Sequence, residues 1–306
     1  MLFPINGKGE MMKKYFLLFL AALCSTSLYA QEAPDAPAAV DAPGTWKANF
    51  RRIAIEFSNT SVSHAQEYEN SPISELSADS QMQVDGVFDF ALEYTDSQLS
   101  WDNRLFMEYG KTKIKKADGE RTSNENADQI SLTTDIAQKR WRWDTAKADV
   151  GPFANLGFQT EFTANQDAPR NKVARLKGGI KAFQGTYIED LYAAMVGEAD
   201  FTYSPTNMKS AWEVGFRAKY PVREGVAFSG EGYFRDYLTY SHYEGTDLKY
   251  DLNVKVRMDV NITKTLMIAP YVSYRLAQSR EASVTGSNFM IGLSFAYSDI
   301  FDLFKD

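Results

Sequence analysis

The sequence predicts an all-β chain: a transmembrane antiparallel β-barrel of about 12 strands (roughly 10–14). Three observations carry this. Apolar and polar residues alternate with period two in segment after segment, the apolar rows that are clearly defined contain no Lys or Arg, and tyrosines gather at the ends of those rows.

Composition sets the frame. The chain has 306 residues, with 33 Lys plus Arg against 40 Asp plus Glu, a net charge of −7. That balance argues against a nucleic-acid partner, which selects basic surfaces. The single cysteine, Cys24, allows neither an internal disulfide nor a thiolate metal cluster. MMKKYFLLFLAALCSTSLYA has two lysines, a short apolar core and a small residue at Ala30, the pattern of a cleavable signal peptide over residues 1–30. Cleavage would remove Cys24 and leave an exported chain more acidic than the whole. Residues 31–45, QEAPDAPAAVDAPGT, are rich in Pro, Ala and acid and predict a flexible periplasmic segment. The barrel is expected over 46–306.

Strand segments follow in order. Weaker alternation runs over 46–58. VDGVFDFALEY sets Val84, Phe88, Phe90, Leu92 and Tyr94 against Asp85, Asp89 and Glu93. LSWDNRLFMEYG sets Leu99, Trp101, Leu105, Met107 and Tyr109 against Asp102, Arg104 and Glu108. Weaker segments lie at 128–139, 147–163, 173–183 and 190–203, then WEVGFRAKY sets Trp212, Val214, Phe216 and Tyr220 against Glu213, Arg217 and Lys219. After a weaker segment at 225–240 comes the clearest, Asp247–Thr263. There Leu248, Tyr250, Leu252, Val254, Val256, Met258 and Val260 oppose Lys249, Asp251, Asn253, Lys255, Arg257, Asp259 and Asn261. A weaker segment at 265–276 precedes NFMIGLSFAY, with Phe289, Ile291, Leu293, Phe295 and Tyr297 on one face, followed by DIFDLF.

Alternation alone also fits a soluble sandwich or lipocalin-like barrel, with the apolar faces turned inward. Span-length strands, aromatic row ends and a terminal aromatic strand suited to outer-membrane assembly machinery favour lipid on the apolar side. A Lys or Arg at the bilayer midplane costs about 2–4 kcal/mol, so clean apolar rows are required there. Asn103 and Asp236 are the two polar residues that fall on those rows.

The opposite rows would line a lumen. Candidate lining residues are Asp85, Asp89, Glu93, Asp102, Arg104, Glu108, Arg217, Lys219, Arg235, Lys249, Asp251, Lys255, Arg257, Asp259 and Arg275. The early strands place acids there with Arg104 as the lone base, and the later strands are richer in bases. Two functions fit: porin-like passage of small hydrophilic solutes across this charged lumen, or a closed structural or interaction barrel with its charges paired. Long polar outer loops are expected at Asn59–Ser80 and Lys111–Asp128.

An outer-membrane hydrolase is the third reading, and enzymatic chemistry has little to work with. The only histidines are His64 and His242, and Ser241 beside His242 would point to the opposite face if both lie on a strand. DGERTSNENAD, Asp118–Asp128, lacks the ligand spacing of a calcium loop, and no nucleotide-binding glycine pattern occurs. No cofactor or metal is expected.

One stretch carries a resemblance. Trp101, Asp102, Asn103, Tyr109, Gly110, Asp128, Trp141, Trp143, Gln159 and Phe162 match the short motifs of an uncharacterised bacterial outer-membrane β-barrel family, with a Trp-Asp-Asn…Tyr-Gly strand. The chain is also loosely similar to the salt-induced outer-membrane protein group. The resemblance implies a cell outer-membrane barrel with membrane lipid as surroundings. It brings no catalytic residue and no known substrate.

Overall fold

The computed structural model describes residues 44–68, 71, 73–77, 82–115, 121–163, 169–243, 245 and 247–303. The expected signal peptide and nearly all of the Pro/Ala-rich segment lie outside them. Strands are β1 (Thr45–Ser63), β2 (Met82–Thr95), β3 (Leu99–Lys115), β4 (Arg121–Gln138), β5 (Trp141–Trp143), β6 (Ala148–Thr160) and β7 (Lys172–Phe183). There follow β8 (Ile188–Asp200), β9 (Asn207–Arg223), β10 (Val226–Tyr240), β11 (Leu248–Asn261), β12 (Leu266–Ser279) and β13 (Gly286–Leu303), with one short helix, α1 (Ser74–Ser77).

Every spanning strand pairs antiparallel with its sequence neighbours, and β1 pairs with β13 from Trp46↔Leu303 to Ser63↔Ser287. β4 pairs directly with β6, while the short β5 only folds back on the end of β6. The result is a closed barrel of 12 spanning strands. Closure matters because a lipid-exposed strand edge would carry unsatisfied N–H and C=O groups, each costing several kcal/mol.

Among the described residues most large apolar side chains are on the outside and most buried charged ones are inside. Ile55, Leu132, Leu156, Ile180, Ile291 and Phe295 stand exposed on the outer face. Glu56, Asp89, Glu213, Arg235, Asp251 and Ser294 are buried on the inner one. This distribution selects lipid, not water, as the outer solvent.

The two rims differ. The end that carries Thr45 and Leu303 has short turns, such as Asp96–Gln98, Glu224–Gly225 and Ile262–Thr265. The Asp96 carboxylate accepts the N–H groups of Gln98 and Leu99, both at 2.7 Å. Those backbone bonds, the Gln98 one foremost, hold its pKa below the usual carboxylate value. The other end has the longer connections, including 64–81 and 161–171. Aromatic side chains collect near both: Trp46 packs on Tyr94 and Trp101 (ring centroids 5.0 and 5.7 Å) at the turn end, and Trp212 packs on Phe234 (5.3 Å) towards the loop end.

Asp236, the outward acid, accepts the indole N–H of Trp212 at 3.1 Å, within the loop-end aromatic band. Asn103 lies beside Leu92 and Thr134 at the turn end, where the Trp101 indole N–H donates to the Thr134 hydroxyl at 2.8 Å. Both polar residues therefore sit in the aromatic bands and leave the midplane apolar.

Three expectations change. Lys111–Asp128 is largely strand: β3 and β4 pair there as far as Lys115↔Arg121 and extend the hairpin beyond the ladder that β4 makes with β6. The second change is at the start of β11, where a register shift between Leu248 and Tyr250 turns Leu248 inward, not to lipid, and leaves Lys249 exposed at the rim. Third, β1 carries a bulge between Phe50 and Arg52. Its apolar residues switch from even positions (Trp46, Phe50) to odd ones (Ile53, Ile55, Phe57), so Arg51 and Arg52 both enter the lumen.

Candidate functional site: a charged lumen beneath an inward-folded loop

The lumen is lined by ion pairs, most of them between neighbouring and next-neighbouring strands. On the first wall, Arg104 of β3 makes two bonds to Asp89 of β2, at 2.7 and 2.8 Å. Arg51 reaches Glu93 at 2.8 Å and also meets Asp102. Arg51 is not among the candidate lining residues, and with it in the lumen Arg104 is not the lone base among those acids. The bulge on β1 supplies the missing positive charge. Asp85 is buried on the same row, and Glu108 follows Asp102 and Arg104 along the inward register of β3.

On the opposite wall the densest knot centres on Glu213 of β9, which is fully buried. Its carboxylate accepts from Lys177 of β7 at 2.5 Å, Tyr192 of β8 at 2.6 Å and Arg235 of β10 at 2.6 Å. Gly215 makes room for the Tyr192 ring; a methyl there would come within 2.5 Å of it. Near the turn end Arg257 pairs with Glu231 (3.2 Å) and Asp259 (3.5 Å), and Arg217 pairs with Glu189 at 3.3 Å. Lys219 lies exposed at the turn-end mouth and borders a cavity of about 350 Å³ there.

Pairs that leave their own wall reach a limited distance. Lys255 of β11 meets Glu56 of β1 at 2.7 Å, and Lys181 of β7 meets Asp135 of β4. Among the described residues, the strand-to-strand ion pairs join strands at most three places apart around the ring, so they follow the wall and do not span the bore. Inside, Glu231 keeps 39% of its side-chain surface, Arg104 28% and Arg175 24%. Arg52 Nε and Ser294 Oγ are buried without a hydrogen-bond partner from the protein. Polar atoms in that position call for water. The middle of the lumen is thus charged, paired along its walls and accessible to water-sized molecules.

The loop-end mouth is built differently. Described residues of the connection after β1 turn into the barrel: Tyr68, Ile73 and Leu76 pack against Val196, Ala211, Tyr237, Leu248 and Ala277 of the wall. Leu76 is 0% and Tyr68 1% exposed. The Tyr68 hydroxyl lies against the carbonyls of Val284 (2.8 Å) and Ala277 (3.1 Å), and Gly286 leaves space for its ring. Glu75 of α1 accepts from Arg275 at 2.7 Å, while Arg275 is held from behind by Asp251 at 2.9 Å. Asn288 donates to the Glu75 carbonyl at 2.8 Å. The sequence suggested a polar outer loop here, and periodicity gave no sign that it turns inward.

The histidines are at the loop end. His64 Nδ1 lies 3.0 Å from the Thr285 carbonyl oxygen. Ser241 and His242, beyond the end of β10, do come together at 3.1 Å, because a bend replaces the strand alternation that would separate them. The Ser241 oxygen also accepts the Met208 N–H at 2.8 Å, which ties it into the turn.

A closed barrel, apolar outside, charged within and banded by aromatics, is a transmembrane β-barrel of the outer-membrane type. A family described as "Protein of unknown function (DUF3078)" matches residues 75–165, from α1 through β6. That match agrees with an uncharacterised outer-membrane barrel family. No curated protein matches the sequence. Among solved structures, an outer-membrane channel from Pseudomonas putida F1 is similar at 12% identity and TM-score 0.44, over 87% of this chain and 100% of that one. The channel DcaP of Acinetobacter baumannii gives 8% and 0.42, over 84% and 97%. Outer membrane phospholipase A from Escherichia coli gives 9% and 0.38, over 86% and 94%. These likenesses include channels and an enzyme alike, and at these values none bears on function.

Proposed function

We propose that this chain is a bacterial outer-membrane barrel that passes small hydrophilic solutes through its charged lumen only when the loop between β1 and β2 leaves the mouth. The loop end then faces outward and the turn end faces the periplasm, with export by the segment 1–30 and insertion by the outer-membrane assembly machinery. The observation that carries this reading is the position of closure. Wall charges are paired along the wall and keep water access, whereas at the mouth the described loop residues lie against the inner wall and are held there through side chains. A barrel meant to be solid has no need of accessible charges beneath its plug.

A second reading, a permanently closed structural barrel, is favoured by the pairs that reach furthest, Lys255–Glu56 and Arg52–Asp259. Liposome swelling separates the two. The intact barrel is expected to admit a small sugar slowly, and a barrel with residues 64–80 replaced by a short turn is expected to admit it at least about tenfold faster. A folded, loop-replaced barrel that stays impermeable would leave the structural reading standing.

A further inference from the structure

We infer that the seat of the inward loop is a binding site for a small carboxylate with an apolar flank and an N–H donor, as in an acidic dipeptide, and that Glu75 and Leu76 fill it in the closed state. The inference rests on the reading that solutes enter at this mouth.

The first observation is the wall itself. An aqueous lumen is lined by polar residues, yet Val196, Ala211, Tyr237, Leu248 and Ala277 bring an apolar patch together from five strands, β8 to β12. The register shift at the start of β11 is what turns Leu248 into that patch. Such a surface is unfavourable against water and favourable under an apolar occupant.

The second is the disposition of Arg275. Its Nε and Nη2 are fixed by the two oxygens of Asp251, at 3.2 and 2.9 Å, so a strand-borne acid orients the guanidinium. The remaining edge, Nη1, is aimed at the mouth and is taken by Glu75. A guanidinium fixed on one edge and holding a loop carboxylate on the other suits a ligand carboxylate there once the loop has left, through a charge-assisted bond.

Third, Asn288 is 3% exposed and gives its amide N–H to the Glu75 carbonyl, while its Oδ1 has no hydrogen-bond partner. A buried acceptor left open is costly, and an N–H from a ligand would satisfy it. Carboxylate, apolar flank and N–H donor together describe the ligand. The loop, tethered at both ends, competes at high effective concentration, so a free ligand displaces it only when abundant.

The test uses N-acetyl-Glu-Leu-amide and N-acetyl-Gln-Leu-amide, which differ only in the charge at the Arg275 contact. Calorimetry is run on the detergent-folded barrel with residues 64–80 replaced by a short turn. The acidic peptide is expected to bind at least about tenfold tighter than the neutral one, the step from a neutral to a charged hydrogen bond. Arg275→Gln should abolish the difference, and the intact chain should bind the acidic peptide at least about tenfold more weakly. Equal binding of the two peptides, or binding of neither, overturns the site. Conductance of the same preparation keeps the two ideas apart. Binding without conduction rejects passage and keeps the site, and conduction without selective binding does the reverse. If the loop replacement does not fold, the intact chain carrying E75Q and L76S is used instead. It should gain affinity for the acidic peptide over the unaltered chain, and no gain overturns the site.

Discussion

The wall and the mouth of this barrel are closed by contacts of different kinds. On the wall, Glu213 ties β7, β8, β9 and β10 together through Lys177, Tyr192 and Arg235, all of them carried by strands. At the mouth, Arg275 holds a wall residue with one edge and a loop residue with the other. Losing the first set weakens the barrel itself. Losing the second means only that a loop has moved. The difference teaches where to look for function: a contact that can break while the fold persists can serve as a gate.

Substitutions at the two places should separate accordingly. Glu213→Ala strands Lys177 and Arg235 in a buried site and is expected to lower unfolding stability by about 3–5 kcal/mol. Urea titration in detergent micelles, read by gel mobility, checks this. Leu293→Arg, on the outer face of β13 between β1 and β12, should cost about 2–4 kcal/mol in the same titration if that face meets the hydrocarbon; a change near zero would break the lipid assignment. Gly215→Ala pushes a methyl into the Tyr192 ring and should cost about 1–3 kcal/mol, with a matching loss of the Tyr192–Glu213 bond visible by tyrosine NMR. Leu76→Ala, at the mouth, should weaken loop docking by about 2–4 kcal/mol yet shift barrel unfolding by less than about 0.5 kcal/mol. Faster protease cleavage within 64–81, with the barrel fragment intact, would show that separation. A large global loss from Leu76→Ala would erase the distinction between mouth and wall.

Much of this architecture was legible in the residues. Period-two alternation marks the spanning strands because one solvent lies on each side of the sheet, and that forces apolar and polar residues into separate rows. The β1 bulge was also legible in principle. Apolar residues at even positions through Phe50 and at odd ones from Ile53 leave Arg51-Arg52 as the only place for the phase to change. The inward Leu248 was harder, because DLKYDLNVKV continues its alternation unbroken and only the pairing with β12 shows the shift. Least visible was the plug. Tyr68, Ile73, Glu75 and Leu76 have no strand period, and their partners lie up to about 200 positions away on β8 to β13. Loop placement depends on such long-range complementarity, which alternation does not encode.

Single-channel conductance in a planar bilayer tests the central claim most directly, comparing the intact barrel with the form in which residues 64–80 are replaced by a short turn. The intact barrel is expected to stay shut apart from brief openings, and the loop-replaced form to give steady, ion-selective openings. Steady conduction by the intact barrel, or silence from a folded and inserted loop-replaced one, would contradict the assignment of the gate to this loop.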